Sequence, residues 1–328
     1  MNKEKPLRLG ILGTARILRR IVAVMQAVPG IEVAAIASRD AKRASWYATQ
    51  HGIGKSYGEY RQLIESPEID AVYLPLPPSL HSEWAIAAAT AGKHVLCEKP
   101  LAINLESAIT IDEACRTASV KWLDATAWLH HERTHLMKSI VNDQLGGVQH
   151  VTAAVSFFEP FQTNEHRLDA DLGGGCLLDL GWYSAGVCYW AVDSLPEVLA
   201  ATGSKKQGVW YRVTALVRWE NGTTGTIHCG FDIASRKWME VAGKERSLVC
   251  DDFTRPWADR PARCCVHDRA GTVEKIECSG NQEANMFVAF RDGVRGDVDL
   301  SSFNRQAMGT QRFIGSIERK LIETSSCE

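Results

Sequence analysis

Gly92-Lys93-His94-Val95-Leu96-Cys97-Glu98-Lys99-Pro100-Leu101 sets a lysine directly after a short apolar run and directly before a proline. Proline disfavours the α conformation for the residue before it, so the chain bends at Lys99 and does not pass straight into a helix. The lysine therefore falls at the carboxyl end of a strand, where open α/β sheets place their ligands. Outward from this stretch, strand and helix signals alternate. Residues 7–12, 32–37, 71–74, 94–97 and 122–125 read as strands, with a short piece at 55–57. Helical spacing occupies 15–28, 40–51, 59–65, 80–91 and 105–118. Strands separated by helices argue βαβ units with right-handed crossovers, hence an α/β class with a doubly wound parallel sheet.

The texture changes after Ala125. A helix is expected over 131–142, a strand over 148–157, and an apolar helix over 176–191 behind Gly173-Gly174-Gly175. From 197 to about 277 the period shortens. Tyr211 to Trp219 alternates Tyr, Val, Ala, Val and Trp against Arg, Thr, Leu and Arg, a strand with two distinct faces. Asn221-Gly222 is a hairpin signal before the next strand. The second half is thus an α+β domain with a mainly antiparallel sheet. We place the division near 120–126, giving domains 1–124 and 125–328, with a C-terminal helix free to pack back on the first.

A chain of 328 residues is long enough for two cores. Its net charge is −2 and its Lys and Arg are scattered, which offers nucleic acid or a membrane surface no footprint. No apolar run reaches the length of a membrane span, and the first residues lack the apolar centre of a signal peptide. The ten cysteines have no C-x-x-C spacing, so reduced thiols and a cytoplasmic location are expected.

Gly10-Ile11-Leu12-Gly13-Thr14-Ala15-Arg16-Ile17 joins the first strand to the first helix. In a dinucleotide fingerprint the glycines allow a tight turn and a close approach of backbone N–H groups to a pyrophosphate. Gly13 holds the first fingerprint position, Ala15 the second and Leu18 the third, so two of three glycines are replaced. By itself the loop fits an ordinary strand–helix turn equally well. At the end of the second strand, Ser38-Arg39 stand where NAD-specific folds carry an acidic residue, with Lys42 and Arg43 a turn later. A hydroxyl and guanidinium groups suit a 2′-phosphate, so NADP(H) is the expected cofactor, with NAD(H) the alternative. Asp40 comes too late for a ribose ligand and suits a helix cap.

Two other motifs compete. Gly54-Lys55-Ser56 resembles the end of a P-loop, but Thr49 stands where its first glycine is required. His131-Glu132-Arg133-Thr134-His135 matches H-E-x-x-H, the helical zinc motif of a hydrolase, with Glu159 or His150 as a third ligand. The motif occupies the first helix after the sixth strand, in surroundings unlike a protease, so no metal is expected.

Taken in order, these blocks resemble the Gfo/Idh/MocA oxidoreductases, the family of glucose–fructose oxidoreductase and inositol dehydrogenase. The matching elements are the Gly10 loop, Ser38-Arg39-Asp40, the run Asp70-Ala71-Val72-Tyr73-Leu74-Pro75-Leu76-Pro77-Pro78-Ser79-Leu80-His81, the Glu98-Lys99-Pro100 block, and the run from Gly173 to Tyr183. The resemblance spans almost the whole chain. It implies a nicotinamide-dependent dehydrogenase or reductase for a sugar, polyol or related hydroxy/keto compound, and a homo-oligomer, dimer or tetramer, formed through the second sheet. It implies that Lys99 lies beside the nicotinamide and the reacting oxygen, and that Glu98 contacts the cofactor's sugar or nicotinamide side. Pro100 fixes the turn, often through a cis peptide. Gly13, Thr14, Ala15, Arg16, Ile17, Ser38, Arg39 and Arg43 are then cofactor-binding, and Leu76, Pro77 and His81 line the nicotinamide side. Asp179 and Tyr183, four residues apart, are the other two catalytic candidates beside Lys99. They are expected on successive turns of one helix. Tyr183 places the chain nearer the glucose–fructose oxidoreductase and dihydrodiol dehydrogenase-like branch than the histidine-bearing inositol dehydrogenases, and Arg167 is a candidate substrate contact. Trp128-Leu129-His130-His131-Glu132-Arg133 departs from the Tyr/Phe-Arg type of segment seen in sugar-active members, which leaves the substrate open. Two other readings stand beside the enzyme on this fold: a sensor that binds cofactor without turnover, and an enzyme whose retained cofactor cycles to give net hydrolysis or isomerisation.

Overall fold

The computed structural model describes residues 5–158, 161, 165–257 and 260–325. They form two compact units. One runs up to Ala127 and is rejoined by Gln282–Arg305; the other comprises Trp128–Asn281 and the chain from Gln306.

In the first unit, strands β1 (Leu7–Leu12), β2 (Ile31–Ala37), β3 (Lys55–Tyr57), β4 (Ala71–Leu74), β5 (His94–Cys97) and β6 (Trp122–Asp124) alternate with helices. The helices are α1 (Leu18–Ala27), α2 (Ala41–His51), α3 (Tyr60–Ile64), α4 (His81–Thr90) and α5 (Leu105–Thr117). All six strands are parallel, in the order β3-β2-β1-β4-β5-β6. Strand order reverses between β1 and β4, where an open sheet leaves a ligand crevice at its carboxyl edge. Leu18, Ile21, Val22 and Met25 recur at helical spacing, so α1 buries one stripe on the sheet. The same core takes in Met286, Phe287, Phe290 and Leu300 from the returning segment. An ion pair between Arg20 and Glu283 ties that segment to α1. Asp40 is the cap expected of it: its carboxylate accepts the N–H groups of Lys42 at 2.9 Å and Arg43 at 3.2 Å at the start of α2.

The second unit holds α6 (Glu132–Asp143), β7 (Val148–Phe158), α7 (Cys176–Asp179) and α8 (Gly181–Val192). Strands β8 (Glu197–Lys206), β9 (Val209–Arg218), β10 (Thr224–Gly230), β11 (Asp232–Gly243), β12 (Arg246–Cys250), β13 (Ala262–Asp268) and β14 (Val273–Cys278) follow. They form one sheet with β7, in the order β14-β13-β12-β11-β7-β10-β9-β8. The β7–β10 pair is parallel and every other pair antiparallel. The two-faced strand is present: Val213, Ala215, Val217 and Trp219 are buried while Arg212, Thr214, Leu216 and Arg218 are exposed. Helix α8 is buried almost all round and packs on β7 and β10.

Two sequence expectations need correction. The single helix over 176–191 is broken at Leu180 into α7 and α8. Tyr183 N–H donates to Leu180 O at 3.0 Å, a three-residue turn where a continuous helix would bond to Asp179. Gly181 permits the tight packing there, since a Cβ would stand 3.0 Å from Leu177 Cδ1 and 3.4 Å from Cys229 Sγ. Asp179 thus ends α7 and Tyr183 lies in the first turn of α8, on two helices where one was expected. The second correction concerns His131, which is no helical residue. It caps α6, its Nδ1 accepting Arg133 N–H at 2.9 Å, and it is buried while His135 is exposed. Among the described residues no group of three or more His, Cys, Asp or Glu could hold a metal ion, and Glu159 lies outside the described residues.

Arg133, next in that motif, is enclosed with Asp252: the two side chains are 1% and 0% exposed. Arg133 Nη1 donates to Asp252 Oδ1 and, at 3.1 Å, to Arg263 O, while Nη2 reaches Asp252 O at 3.2 Å. Asp252 Oδ2 accepts Trp257 N–H at 3.1 Å. The pair fastens α6 to the chain between β12 and β13. Removing one partner strands a buried charge, so Arg133→Ala is expected to cost roughly 3–5 kcal/mol. An unfolding free energy from urea denaturation lowered by that amount, with secondary structure retained in buffer, is the check.

Candidate active site

In the first unit the candidate residues stand at the carboxyl ends of its strands. After β1 the chain turns through Gly13 at φ +107°, and a Cβ there would meet Leu76 Cδ2 at 2.8 Å. Only glycine fits both constraints, and it leaves bare backbone at the entrance to α1. Thr14, Ala15, Arg16 and Ile17 complete this turn, and Arg43 Nη2 holds Thr14 O at 3.0 Å. After β2, Ser38 Oγ accepts Asp40 N–H at 3.2 Å; its own proton is a donor. Arg39 and Arg43 are exposed beside Tyr60. Burial pushes the Tyr60 hydroxyl above its ordinary pKa while Arg39, its hydrogen-bond partner, and Arg43 pull it down. Sequence reasoning missed Tyr60, whose only sequence signal is its place at the start of α3.

After β4 come Leu76 and Pro77, and then His81 at the first position of α4. His81 does not line a cleft. It is 0% exposed, with Nδ1 2.9 Å from Pro100 O and Nε2 2.8 Å from Leu76 O. It clamps the loop after β4 to the turn after β5 and so acts from behind the residues named as lining. Burial holds its pKa below the ordinary value, against the pull of the two carbonyl oxygens.

After β5, Glu98 Oε1 accepts the hydroxyl of Tyr73 at 2.5 Å and Oε2 accepts Lys99 N–H at 3.3 Å. The Lys99–Pro100 peptide is cis. Burial raises the Glu98 pKa, opposed by the Tyr73 bond and the Lys99 charge. Tyr73 is 0% exposed and lies in an apolar strand, so its role was invisible in the periodicity.

In the second unit, Arg167 Nε donates to Asp179 Oδ2 at 2.7 Å and Nη1 to Glu165 Oε1 at 3.1 Å. His166 Nδ1 stands 2.8 Å from the same Glu165 oxygen. Asp179 thus has a guanidinium partner, which sequence spacing did not suggest. The glycine triplet folds the chain onto this turn: Gly174 N–H reaches Asp169 O and Gly175 N–H reaches Arg167 O, both at 2.8 Å. A Cβ on Gly174 would lie 2.7 Å from each of those oxygens. Tyr183 is half-buried in the first turn of α8.

Residues 7–155 match the family of Gfo/Idh/MocA oxidoreductases with an NAD-binding Rossmann fold, and residues 134–249 match the Gfo/Idh/MocA C-terminal domain. The chain belongs to this family. It is an NAD(P)-dependent oxidoreductase. The D-xylose 1-dehydrogenase (NADP(+)) 2 of Haloferax volcanii is 36% identical over 71% of this chain and 72% of its own. The dTDP-3,4-didehydro-2,6-dideoxy-alpha-D-glucose 3-reductase of Saccharopolyspora spinosa is 32% identical over 89% of each chain. Among solved structures, a 3-ketoreductase from Actinomadura kijaniata in complex with NADP and TDP-benzene superposes with a TM-score of 0.89. It is 26% identical, over 97% of this chain and 98% of that one. No helix among the described residues is long and apolar enough to cross a membrane.

The clamp is testable. His81→Leu removes the ring nitrogens from two buried carbonyls, and should cost about 2 kcal/mol in urea unfolding and weaken NADPH binding measured by fluorescence.

Proposed function

We propose that the protein transfers hydride between NADP(H) and a sugar, polyol or related hydroxy/keto compound, with Lys99 and Tyr183 handling the oxygen's proton. The observation that carries this reading is the turn after β5, where Glu98, Lys99 and a cis proline are held at the carboxyl edge of a parallel sheet. The residues present suit the cofactor. Gly13 is a cradle that a Cβ would fill, and the bare backbone at the entrance to α1 suits a diphosphate. The exposed guanidinium groups of Arg39 and Arg43 suit a 2′-phosphate. The xylose dehydrogenase relative is named for NADP(+), and the 3-ketoreductase structure contains NADP.

When bound, the nicotinamide supplies the hydride acceptor or donor. Lys99 places an ammonium against the oxygen on which negative charge develops, lowering the cost of that charge. Tyr183 takes or returns the oxygen's proton as general base or acid. Asp179, paired with Arg167, orients the substrate's hydroxyl groups, and Arg167 contributes its remaining donors. Glu98 faces the cofactor while Tyr73 holds one of its oxygens. A sugar fits this set of acceptors and donors, and the named relatives act on sugars or nucleotide-linked sugars.

Lys99→Met keeps an unbranched side chain one atom shorter and removes the charge. Turnover in a panel of aldoses, polyols and nucleotide-linked ketosugars should fall by at least ~100-fold; undiminished turnover would remove the lysine from the chemistry. A panel with NADPH oxidation and NADP⁺ reduction both silent, alongside tight NADPH binding, would favour the sensor. Arg39→Ala should raise the Kd for NADPH by ~10-fold or more while leaving that for NADH within about twofold. Equal losses for both cofactors in fluorescence titration would refute the 2′-phosphate role.

A further inference from the structure

Between β7 and α8, residues 159–180 include five carboxylates, Glu159, Glu165, Asp169, Asp171 and Asp179, and one guanidinium, Arg167. Recognition of a phosphate or carboxylate uses an open cationic fork or a nest of backbone N–H groups. Here both are already engaged. Arg167 lies between Asp179 Oδ2 at 2.7 Å and Glu165 Oε1 at 3.1 Å, which leaves the trio with a net negative charge. The Arg167 and Glu165 side chains are 32% and 10% exposed, so the pair is partly withdrawn from water. Burial draws the Arg167 pKa down, yet Asp179 and then Glu165 hold it above its ordinary value. The glycine triplet closes in the same way. Gly173 N–H donates to Ala170 O at 3.1 Å, and Gly174 and Gly175 N–H donate to Asp169 O and Arg167 O, both at 2.8 Å. Three consecutive donors that could wrap an anion instead fold the turn onto itself.

The neighbouring strand brings cations, and each has a partner. A Cβ on Gly175 would stand 3.4 Å from Trp210 N and O, which places the start of β9 beside the turn. Lys205 Nζ lies 4.5 Å from the centroid of the Trp210 ring, and Lys206 Nζ lies 5.0 Å from that of Tyr211. Arg212 Nη1 is 3.7 Å from Asp232 Oδ2. His166, exposed, has its Nδ1 2.8 Å from Glu165 Oε1.

We propose that Glu165 sets the charge of the substrate: as the second carboxylate on Arg167, it makes the site take a neutral, unphosphorylated sugar or polyol and turn away sugar phosphates, sugar acids and nucleotide-linked sugars. The proposal rests on the reading above that Arg167 and Asp179 face the substrate. An incoming anion meets two carboxylates for one guanidinium, and like charges brought together away from water are disfavoured. A hydroxyl group meets the opposite. Asp179 and Glu165 offer it acceptors and the remaining N–H groups of Arg167 offer donors, with no new charge to neutralise. Such specificity is a penalty on the wrong substrate, not an added contact with the right one.

Matched pairs test this: D-glucose against D-glucose 6-phosphate, D-galactose against D-galacturonate, and D-glucose against dTDP-glucose. Turnover is followed as NADPH formation, and binding to the NADPH-bound enzyme by calorimetry, at about pH 8 where an ordinary histidine is neutral. In each pair the neutral sugar should lead by about tenfold or more in kcat/KM or Kd. A charged partner that equals or beats it overturns the proposal. Glu165→Gln should narrow that gap at least ~5-fold, whereas a merely structural role would weaken both members alike and leave their ratio unchanged. If the variant does not fold, raising NaCl from about 0.02 to 0.5 M screens the same charges in the unaltered protein and should also narrow the gap. A ratio indifferent to whichever of these changes can be made overturns the proposal, as does binding of neither member of any pair. Ranked binding with every sugar silent in turnover would instead sink the hydride transfer and leave the charge preference standing.

Discussion

All six strands of the first sheet run the same way, so their carboxyl ends gather on one edge. A parallel sheet buried on both faces is apolar along its length, and what polar groups it carries appear where the strands stop. Here Gly13, Ser38, Glu98 and Asp124 all stand within two residues of a strand end. The edge must satisfy these groups with hydrogen bonds or leave them to a ligand. Both solutions occur. Tyr73 and Thr126 serve the two carboxyls and His81 joins two loops through their carbonyls. The side chains of Arg39 and Arg43 are exposed, and it is to them and to the turn after Gly13 that we assign the cofactor.

The second unit solves a different problem. Its sheet is mainly antiparallel, and α8 supplies an almost wholly apolar cover for β7 and β10. Helix α6 is instead fixed by a buried ion pair, which contributes little net stability when intact but costs much when broken. That asymmetry makes Arg133 a requirement of the fold in a segment whose sequence matches a zinc motif but from which no metal was expected. The break at Leu180 works in the same direction. Asp179 ends the helix before the break and is held there by Arg167 from the turn at Glu165–Asp169.

Much of this was legible in the order of residues. The alternation of strand and helix periods, the two-faced strand around Val213, the cap at Asp40 and the block at Glu98-Lys99-Pro100 all act through near neighbours in the chain. Periodicity and capping depend on contacts three or four residues apart, so sequence reports them well. The helix break was not legible: Gly181, just past it, packs against Cys229, 48 residues downstream along the chain.

The sequence by itself determined a parallel nucleotide-binding sheet followed by a mainly antiparallel one, and the lysine at a strand end about which the chemistry is proposed. Only the tertiary structure decided the partners of the ionisable groups. Tyr73 with Glu98, Arg167 with Asp179, Arg133 with Asp252 and the enclosure of His81 and Asp124 are set by register and packing between distant segments. Burial and charge pairing control protonation, and both are properties of three-dimensional neighbours that no local pattern encodes.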